Sequence, residues 1–476
     1  MKYKWLVLTV TTIGVLMAGI DARIVIIGLP QVIHSIGADA EQGIWISQAY
    51  IMGTIGILLL TGRFADLYGR KRVYTSGFLI FTIGSILTSL SMNPIQLIIF
   101  RIIQGMGAGI ILTSSIAIIT DATPPYELGY SLGINNLGFR FGAMAGLTLS
   151  GIIISVLGDW RALFYINIPI GIIGTIWAYK TIKETTPRQN HQGKNKFLEI
   201  DWAGFTLFTI SISTLLLALT FAAYGIGSQT LTALFVVISI VTFASFLFQE
   251  HRSQNPLVNF KLLKIREYTG GLVALLINGL AWGAVLVLLS FYFQLVLGLS
   301  PLDAGIRIIP FDLAFLIAGP ISGKLSDRYG HLPFTTSGIA LSSLSLWLFS
   351  TVSMTTSYLT VLVYMVLFGV SMGLFSSPNM SAVMTSCPAD ERGVGSAIRS
   401  TFLNVGFAVS LNLAILIMSL TIPYTLVTQV AAGYTTTLTT SKELFLQSIR
   451  TTYLWLAFAN ALAIIPSILR NKIKKN

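Results

Sequence analysis

Several ionisable residues stand inside stretches of sequence that are otherwise almost entirely apolar. Each such charge costs on the order of 2.5–3.5 kcal/mol in the middle of a membrane, so it persists where a partner or a wet cavity stabilises it. Charges of this kind form proton relays and ion pathways. Those in this chain are Asp21, Arg23, Arg101, Arg140, Arg307, Asp312 and Arg399.

Asp21 is the strongest candidate for a proton-binding group. Burial favours the neutral form of a carboxyl group and a neighbouring arginine favours the charged form, so a carboxylate under both influences can load and release a proton. Arg101 is the expected partner, because it also stands in the middle of an apolar stretch. The alternative is a static ion pair that only holds two helices together.

A stripe of glycines in the fifth apolar stretch indicates a close contact between helices. Its members recur every four residues, as Gly138, Gly142 and Gly146. Arg140 lies on the opposite face, and Asn136 lies one turn before it. If the stripe packs on the other half of the protein, Arg140 and Asn136 face helix 1 or a central cavity. The alternative is a structural pair between Arg140 and Asp21.

The charges expected around a substrate cavity are unequal in number. Arg23 points about 200° away from Asp21 on a helix, so it pairs with another helix or reaches the cavity rim. When Arg307 is set against Asp312, Asp21 stands alone against four arginines. A net positive cavity favours an anionic or carboxylate-bearing substrate. The residues expected to line it are Arg23, Gln104, Asn136, Arg140, Asp312 and Arg399.

A short pattern of glycine and aspartate occurs twice, 261 residues apart, as Gly62-x-x-x-Asp66-x-x-Gly69 and Gly323-x-x-x-Asp327-x-x-Gly330. Glycines allow a tight turn, and the aspartate can accept hydrogen bonds at a helix N-terminus or pair with an arginine. We expect a conformational latch that consists of Gly62, Asp66, Gly69, Arg70, Asp327 and Arg328. Since His331 and Leu332 occupy the places of Arg70 and Lys71 in the second copy, the first copy is expected to be the stronger latch.

The composition assigns the whole chain to the membrane. Only 10% of its residues are charged and 54% are hydrophobic, whereas a soluble domain has roughly 25% charged residues. Six helices need roughly 180–200 residues, so the repeat leaves room for two more and predicts six, two and six helices. The fourteen predicted spans are 5–29, 44–64, 73–92, 95–119, 130–157, 161–183, 202–224, 230–249, 268–296, 304–324, 333–352, 357–382, 394–420 and 451–469.

The net charge of +12 does not indicate nucleic-acid binding, because the basic residues punctuate apolar segments. Their distribution predicts that both termini are cytoplasmic. A single cysteine, Cys387, excludes an intrachain disulfide. The four histidines have no metal-ligand spacing, so neither a metal nor another cofactor is expected. No nucleotide loop or acid–histidine cluster indicates an enzyme.

Several segments resemble the major facilitator superfamily, and in particular its fourteen-helix drug:proton antiporters. In the fifth helix, Leu147 and Ser150 replace a proline and a glycine that are usual in that subfamily. The resemblance rests on the segment from Gly62 to Arg72 (GRFADLYGRKR), on Arg101 to Gly107 (RIIQGMG), on Asp21 with Ile24-Val25 and Leu29-Pro30, on Trp45-x-x-x-Ala49-Tyr50, and on the pattern from Asp159 to Gly171.

The resemblance implies a two-bundle transporter that works by alternating access. We expect a first six-helix bundle at 1–183, two inserted helices with linkers at 184–267 and a second six-helix bundle at 268–476. The resemblance also implies export of a drug-like or organic molecule against inward proton flow, with Asp21 and Arg101 as the coupling residues. The expected partners are a small molecule, protons and the lipid bilayer of the cell membrane, with a monomer as the functional unit. Uptake or facilitated diffusion of an organic anion or metabolite on the same fold is the alternative.

Overall fold

The computed structural model describes residues 3–38, 40–184, 200–224, 229–253, 256–420, 422 and 441–470. These residues form helices joined by turns, and no strand occurs among them. The expected all-helical class is therefore confirmed. Residues 185–199, at the start of the predicted segment 184–267, lie outside the described ranges.

The first repeat begins with five long helices and ends with a short one followed by a longer one. Their bounds are α1 (Tyr3–Ile36), α2 (Ala40–Tyr68), α3 (Arg70–Ser89), α4 (Pro94–Ala122), α5 (Pro125–Leu157), α6 (Ala162–Tyr165) and α7 (Asn167–Thr181). The inserted pair and the short helix after it are α8 (Trp202–Tyr224), α9 (Gln229–Arg252) and α10 (Phe260–Leu263).

The second repeat contains more interruptions than the first. Its elements are α11 (Arg266–Trp282), α12 (Val285–Phe291), a π-helical turn (Tyr292–Val296), α13 (Pro301–Tyr329), α14 (His331–Phe349), α15 (Tyr358–Thr385), a 3₁₀ turn (Ala389–Glu391), α16 (Arg392–Ser419), α17 (Ser441–Ala461) and α18 (Ile464–Leu469). The span predicted at 268–296 is therefore divided among α11, α12 and the π-helical turn.

Thirteen helical segments within the described ranges are long and apolar enough to cross a membrane. The one predicted span that is not among these thirteen segments is 73–92. It corresponds to α3, which has 20 residues and begins with three basic ones. Several helices also extend beyond their apolar spans. The span predicted at 5–29, for example, lies within α1, which continues to Ile36.

The contacts divide the chain into two compact units. Unit 1 consists of Met1–Leu215, Leu234–Lys264 and Met384–Thr401, and unit 2 consists of Leu216–Ala233, Ile265–Val383 and Phe402–Asn476. Unit 1 thus combines the first repeat with parts of α8 and α9, with α10 and with the beginning of α16. The three-part division at 1–183, 184–267 and 268–476 stays a prediction.

The glycine stripe of α5 lies directly against α1. A Cβ atom on Gly142 would stand 2.2 Å from the carbonyl oxygen of Leu16, and one on Gly146 would stand 2.4 Å from that of Ile20. Side chains at these positions would push the two helices apart. The stripe therefore packs within the first repeat, and the condition under which Arg140 would face α1 is not met.

Candidate functional site

Three helices of unit 1 bring polar side chains together around a carboxylate that is shielded from solvent. Asp21, on α1, has an exposed fraction of 0%. Its Oδ2 accepts a hydrogen bond from an Arg101 terminal nitrogen of α4 at 2.6 Å. Its Oδ1 accepts hydrogen bonds from Gln104 Nε2 and from Asn167 Nδ2 of α7, both at 2.8 Å. We refer to these four residues as the Asp21 cluster.

Arg101 and Gln104 meet the carboxylate together because residues three apart share one face of a helix. The same Arg101 nitrogen also donates to Gln104 Oε1 at 2.8 Å. Gln104 Nε2 donates additionally to Ser85 Oγ of α3 at 2.8 Å. The Arg101 guanidinium carbon lies 4.5 Å from the centroid of the Tyr50 ring, which places an aromatic face against the cation.

Glycines let the neighbouring helices approach α4 at this level. A Cβ atom on Gly105 would stand 2.2 Å from the carbonyl oxygen of Tyr50, and one on Gly84 would stand 2.6 Å from the Cα atom of Gln104. Larger residues at either position would separate α2 or α3 from α4. The cluster thus depends on backbone contacts that only glycine permits.

Asn167 reaches the cluster because a helix begins there. Ile166, between α6 and α7, has helical dihedral angles, and Asn167 is the first residue of α7. Pro169 follows in the first helical turn, where a missing N–H has no cost. On one side, Phe164 and Trp160 belong to a buried apolar core that includes Ile20 and Ile24 of α1. Apolar side chains therefore exclude water beside the polar cluster.

Asp21 can bind one proton, and binding it removes the ion pair with Arg101. A buried carboxylate beside an arginine is stable only while its hydrogen bonds and its counter-charge are kept. Adding a proton neutralises Asp21 and leaves Arg101 as the uncompensated charge. The two protonation states of Asp21 therefore favour different surroundings, which is the requirement for coupling protonation to movement or binding.

The other residues predicted to line a cavity lie on four different helices. Arg23 and Asn136 are half-buried, on α1 and α5. Arg140 of α5, Asp312 of α13 and Arg399 of α16 are buried. All five take part in polar or electrostatic contacts. Asp312 belongs to unit 2, whereas the four others belong to unit 1.

Asn167, Ser85 and Tyr50 have roles in this geometry that the sequence analysis did not assign. Asn167 and Tyr50 belong to segments that resemble the family, and Ser85 belongs to none of the patterns in the sequence. All three are polar side chains within apolar helices, which is a weak signal because a hydroxyl or amide costs far less there than a charge. A search for uncharged polar residues on the faces adjoining Asp21 could have found them.

The first glycine–aspartate pattern forms a second polar site in unit 1. Asp66 Oδ1 accepts a hydrogen bond from the backbone nitrogen of Gly393 at 3.1 Å, and Oδ2 accepts one from Val394 at 2.9 Å. These nitrogens belong to the first turn of α16, so the carboxylate meets the positive end of a helix dipole. Arg70 donates to Asp66 at 3.4 Å and to the carbonyl oxygen of Ala389 at 2.9 Å.

Two further charges complete this site. Asp121, at the end of α4, forms ion pairs with Arg70 and with Arg392. Burial lowers the pKa of the Arg70 guanidinium, and the charge of Asp66 opposes that shift. Asp121 and Arg392 were absent from the predicted latch, because no sequence pattern connects them to residues so distant in the chain.

Glycine is required on both sides of this contact. A Cβ atom on Gly62 would stand 2.5 Å from the Ala397 Cβ atom, and one on Gly393 would stand 2.3 Å from Asp66 Oδ1. Gly69 has a φ of 102°, which favours glycine at the turn between α2 and α3.

The second pattern differs in its local chemistry. Gly330 repeats the turn with a φ of 88°. Arg328 is exposed, with its guanidinium carbon 5.3 Å from the centroid of the Tyr329 ring. Asp327 is half-buried and takes part in a polar or electrostatic contact. Arg328 thus does not occupy the buried position that Arg70 has in the first copy.

Comparisons with known proteins agree with this architecture. The model of the Major Facilitator Superfamily matches residues 11–411. The riboflavin transporter RibZ of Clostridioides difficile (strain 630) is 32% identical over 409 residues, which cover 86% of this chain and 87% of RibZ. The multidrug transporter protein MdtP of Bacillus subtilis (strain 168) is 27% identical over 408 residues, which cover 85% of this chain and 73% of MdtP.

Solved structures share the fold at low sequence identity. The human organic anion transporter MFSD10 has a TM-score of 0.65 at 14% identity, covering 96% of this chain and 99% of its own. The fucose:proton symporter FucP of Escherichia coli has a TM-score of 0.64 at 13% identity, covering 99% and 100%. The chain therefore belongs to the major facilitator superfamily, and it is a multi-pass membrane transporter, not an enzyme.

Proposed function

We propose that this protein is a proton-coupled transporter that exports a small organic molecule, with Asp21 as its proton-binding group. The observation that supports this most directly is the full burial of Asp21 between Arg101, Gln104 and Asn167, inside a membrane helix. A carboxylate is expensive to keep there, and membrane proteins retain such groups mainly for transport and proton relay.

In this proposal a proton and the substrate bind alternately. Asp21 takes a proton from the more acidic outer solution, and the proton leaves on the cytoplasmic side as the transporter changes its direction of access. The contact of Asp66 and Arg70 with the start of α16 acts as a latch for one of the two states. Gly62 and Gly69 allow that contact, and the second pattern, with Asp327 and Arg328, serves as a weaker counterpart.

Transport by the purified protein in liposomes with an imposed pH gradient tests the proposal. We expect gradient-driven transport by the wild-type protein and none by Asp21→Asn, which cannot load a proton. Asp159→Asn is a matched control, because it makes the same chemical change on an exposed side chain that pairs with Arg161. Gradient-driven transport by Asp21→Asn at the wild-type rate would contradict the proposal.

The first compounds to test follow from the relatives. Riboflavin is one, because RibZ is a riboflavin transporter, and a panel of drug-like compounds is the other, because MdtP is a multidrug transporter. Binding can be screened by thermal stabilisation, since a ligand that binds only the folded protein raises its apparent stability.

The excess of arginines supports a preference for anions as the finer part of the proposal. Unit 1 has Asp21 against Arg23, Arg101, Arg140 and Arg399 within its membrane helices. Replacing Arg140 by Gln should lower the transport of anionic compounds relative to neutral ones by about tenfold, since one charge contact contributes about 1.5–3 kcal/mol. Unchanged selectivity would contradict the preference.

Uptake is the second candidate, and the direction of substrate movement relative to the proton gradient discriminates between the two. A substrate whose binding excludes the proton from Asp21 moves against the proton, which is export. A substrate that binds while Asp21 is protonated moves with the proton, which is uptake. Transport of an anionic compound in the direction of the proton gradient would therefore replace export by uptake.

A further inference from the structure

The Asn167 side chain has one polar atom that forms a hydrogen bond and one that forms none among the described residues. Its Nδ2 donates to Asp21 Oδ1 at 2.8 Å. Its Oδ1 is buried and has no hydrogen-bond partner among the described residues, and the whole residue is 0% exposed. A buried polar atom without a partner costs about 1–3 kcal/mol, so its presence indicates a role in another state of the protein.

The surroundings of Asp21 match its charged form only. Arg101 has donors and no acceptor. Gln104 faces Asp21 with its Nε2, because its Oε1 already accepts a hydrogen bond from Arg101 at 2.8 Å. The Tyr50 hydroxyl donates to the carbonyl oxygen of Ala18 at 3.2 Å. A protonated Asp21 has an additional O–H donor. The neighbouring acceptor that forms no hydrogen bond among the described residues is Asn167 Oδ1.

The charged and titratable groups near Asp21 come from several helices. Arg101 of α4 contacts it directly, and Tyr50 of α2 packs on the Arg101 guanidinium. Arg140 lies on the face of α5 opposite to the glycine stripe, which packs against α1. Arg23 lies about 200° around α1 from Asp21. The inference below concerns the hydrogen bonds of Asp21, which Asn167 completes in either protonation state.

We propose that Asn167 is a positioning residue whose amide turns by half a rotation when Asp21 takes up a proton. In the charged state Nδ2 donates to the carboxylate. A hydronium ion then gives up one proton: one of its O–H bonds breaks to leave water, one O–H bond forms at Asp21 Oδ1, and Asn167 Oδ1 accepts a hydrogen bond from that new donor. The amide thereby satisfies both states by rotation about one side-chain bond, without a helix movement. This inference depends on the proposed function, because it requires that Asp21 titrates.

Infrared difference spectra between acidic and alkaline pH test this on the purified full-length protein, with protons as the only ligand. The carboxylic acid band of Asp21 is identified by its loss in Asp21→Asn. Labelling the asparagine side-chain carbonyl with ¹³C isolates the amide signal. We expect an amide band that appears together with the Asp21 band in the wild type. Asn167→Leu should lose that amide band and shift the acid band to higher frequency, because the O–H group then lacks its acceptor.

Two more variants keep the test decisive. Asn135→Leu removes another buried asparagine of the same unit and should leave both bands in place. Asn167→Ser replaces the amide by a hydroxyl that can donate or accept, so it should retain the low-frequency acid band even if Asn167→Leu folds poorly. An amide band that persists in Asn167→Leu, or is absent from the wild type, would overturn the inference alone. A wild-type spectrum without an Asp21 band would overturn the proposed function as well.

Discussion

The two repeats connect their first, third and sixth helices with different side chains. In the first repeat the connection is the Asp21 cluster with Ser85, which includes a buried ion pair. In the second repeat Asn278 of α11 donates to Asn460 of α17 at 2.9 Å. Asn460 in turn donates to Ser342 and Ser343 of α14 at 2.6 and 2.9 Å. None of these four side chains carries a charge.

This difference separates two tasks that a polar contact inside a membrane protein can have. A neutral network of amides and hydroxyls holds helices together at every pH. A charged network holds them only while the ion pair exists, so it responds to protons. Under the proposed function, the contact in the first repeat responds to pH and the contact in the second repeat does not.

The two copies of the glycine–aspartate pattern differ in the same direction. Asp66 and Arg70 contact the start of α16 through charge-assisted hydrogen bonds, whereas His331 stands where the second copy would need an arginine. The arginine that contacts the carboxylate in the first copy is thus replaced by a histidine in the second.

The largest effect should come from removing the cation of the Asp21 cluster. Arg101→Met leaves a buried carboxylate without its counter-charge and should lower the free energy of unfolding by about 3–5 kcal/mol. Denaturant unfolding in detergent measures this. The double variant Asp21→Asn/Arg101→Met should recover most of the loss, since it makes the first contact as neutral as the second. No recovery in the double variant would show that the two repeats do not differ in this way.

The reverse change introduces a charge into the neutral network. Asn278→Asp places a buried carboxyl group beside the uncharged Asn460 amide. The folded state then binds the proton more tightly than the unfolded state, so stability is kept at low pH and lost as pH rises. The free energy of unfolding should fall by about 1.4 kcal/mol per pH unit between the pKa of this group in the unfolded chain, about 3.9, and its higher pKa in the folded protein, and should level off above that. A slope equal to that of the wild type would contradict the assignment of this network as uncharged.

A smaller effect is expected from deleting a neutral link. Asn460→Leu leaves Asn278, Ser342 and Ser343 without their partner and should cost about 1–3 kcal/mol of stability. The pH dependence of transport should stay that of the wild type, because no titrating group is involved. A changed pH profile would mean that the second network also takes part in proton coupling.

The smallest effect concerns the two glycine–aspartate patterns, and the single cysteine provides the measurement. Cys387 donates to the Glu391 carbonyl oxygen at 3.4 Å, beside the segment that Asp66 and Arg70 hold. Burial raises the pKa of its thiol to about 12, so maleimide labelling of the wild type should be slow at neutral pH.

Asp66→Asn should raise the labelling rate of Cys387 about tenfold, because the loss of charge-assisted hydrogen bonds costs at least about 1.4 kcal/mol. Asp327→Asn is the matched control and should leave the rate unchanged. Equal acceleration by both variants would remove the distinction between the two copies.

The helices could be predicted from the sequence because apolar runs of membrane length are an unambiguous signal. The contact of Asp21 with Arg101 followed from the same logic, since isolated intramembrane charges require partners. The membership of Asn167 and Ser85 has only a weak signal in the sequence, because uncharged polar side chains are tolerated in membrane helices without a specific partner.

The sequence also does not show which helices pack against each other. The spacing of Gly138, Gly142 and Gly146 predicted a close helix contact, but any neighbouring helix would satisfy that pattern, and the structure identifies α1. The approach of Gly393 and Val394 to Asp66 joins residues more than 300 positions apart. No local pattern encodes such a distance.

The Asp21–Arg101 pair also affects how the chain enters the membrane. The two residues are 80 positions apart. At a synthesis rate of about 5–20 residues per second, Asp21 waits roughly 4–16 s before its partner exists. During that interval Asp21 lacks its Arg101 partner, so we expect α1 to stay beside the insertion machinery or water until α4 arrives. The helices of Asn278 and Asn460 carry no such charge there and can enter the lipid one at a time.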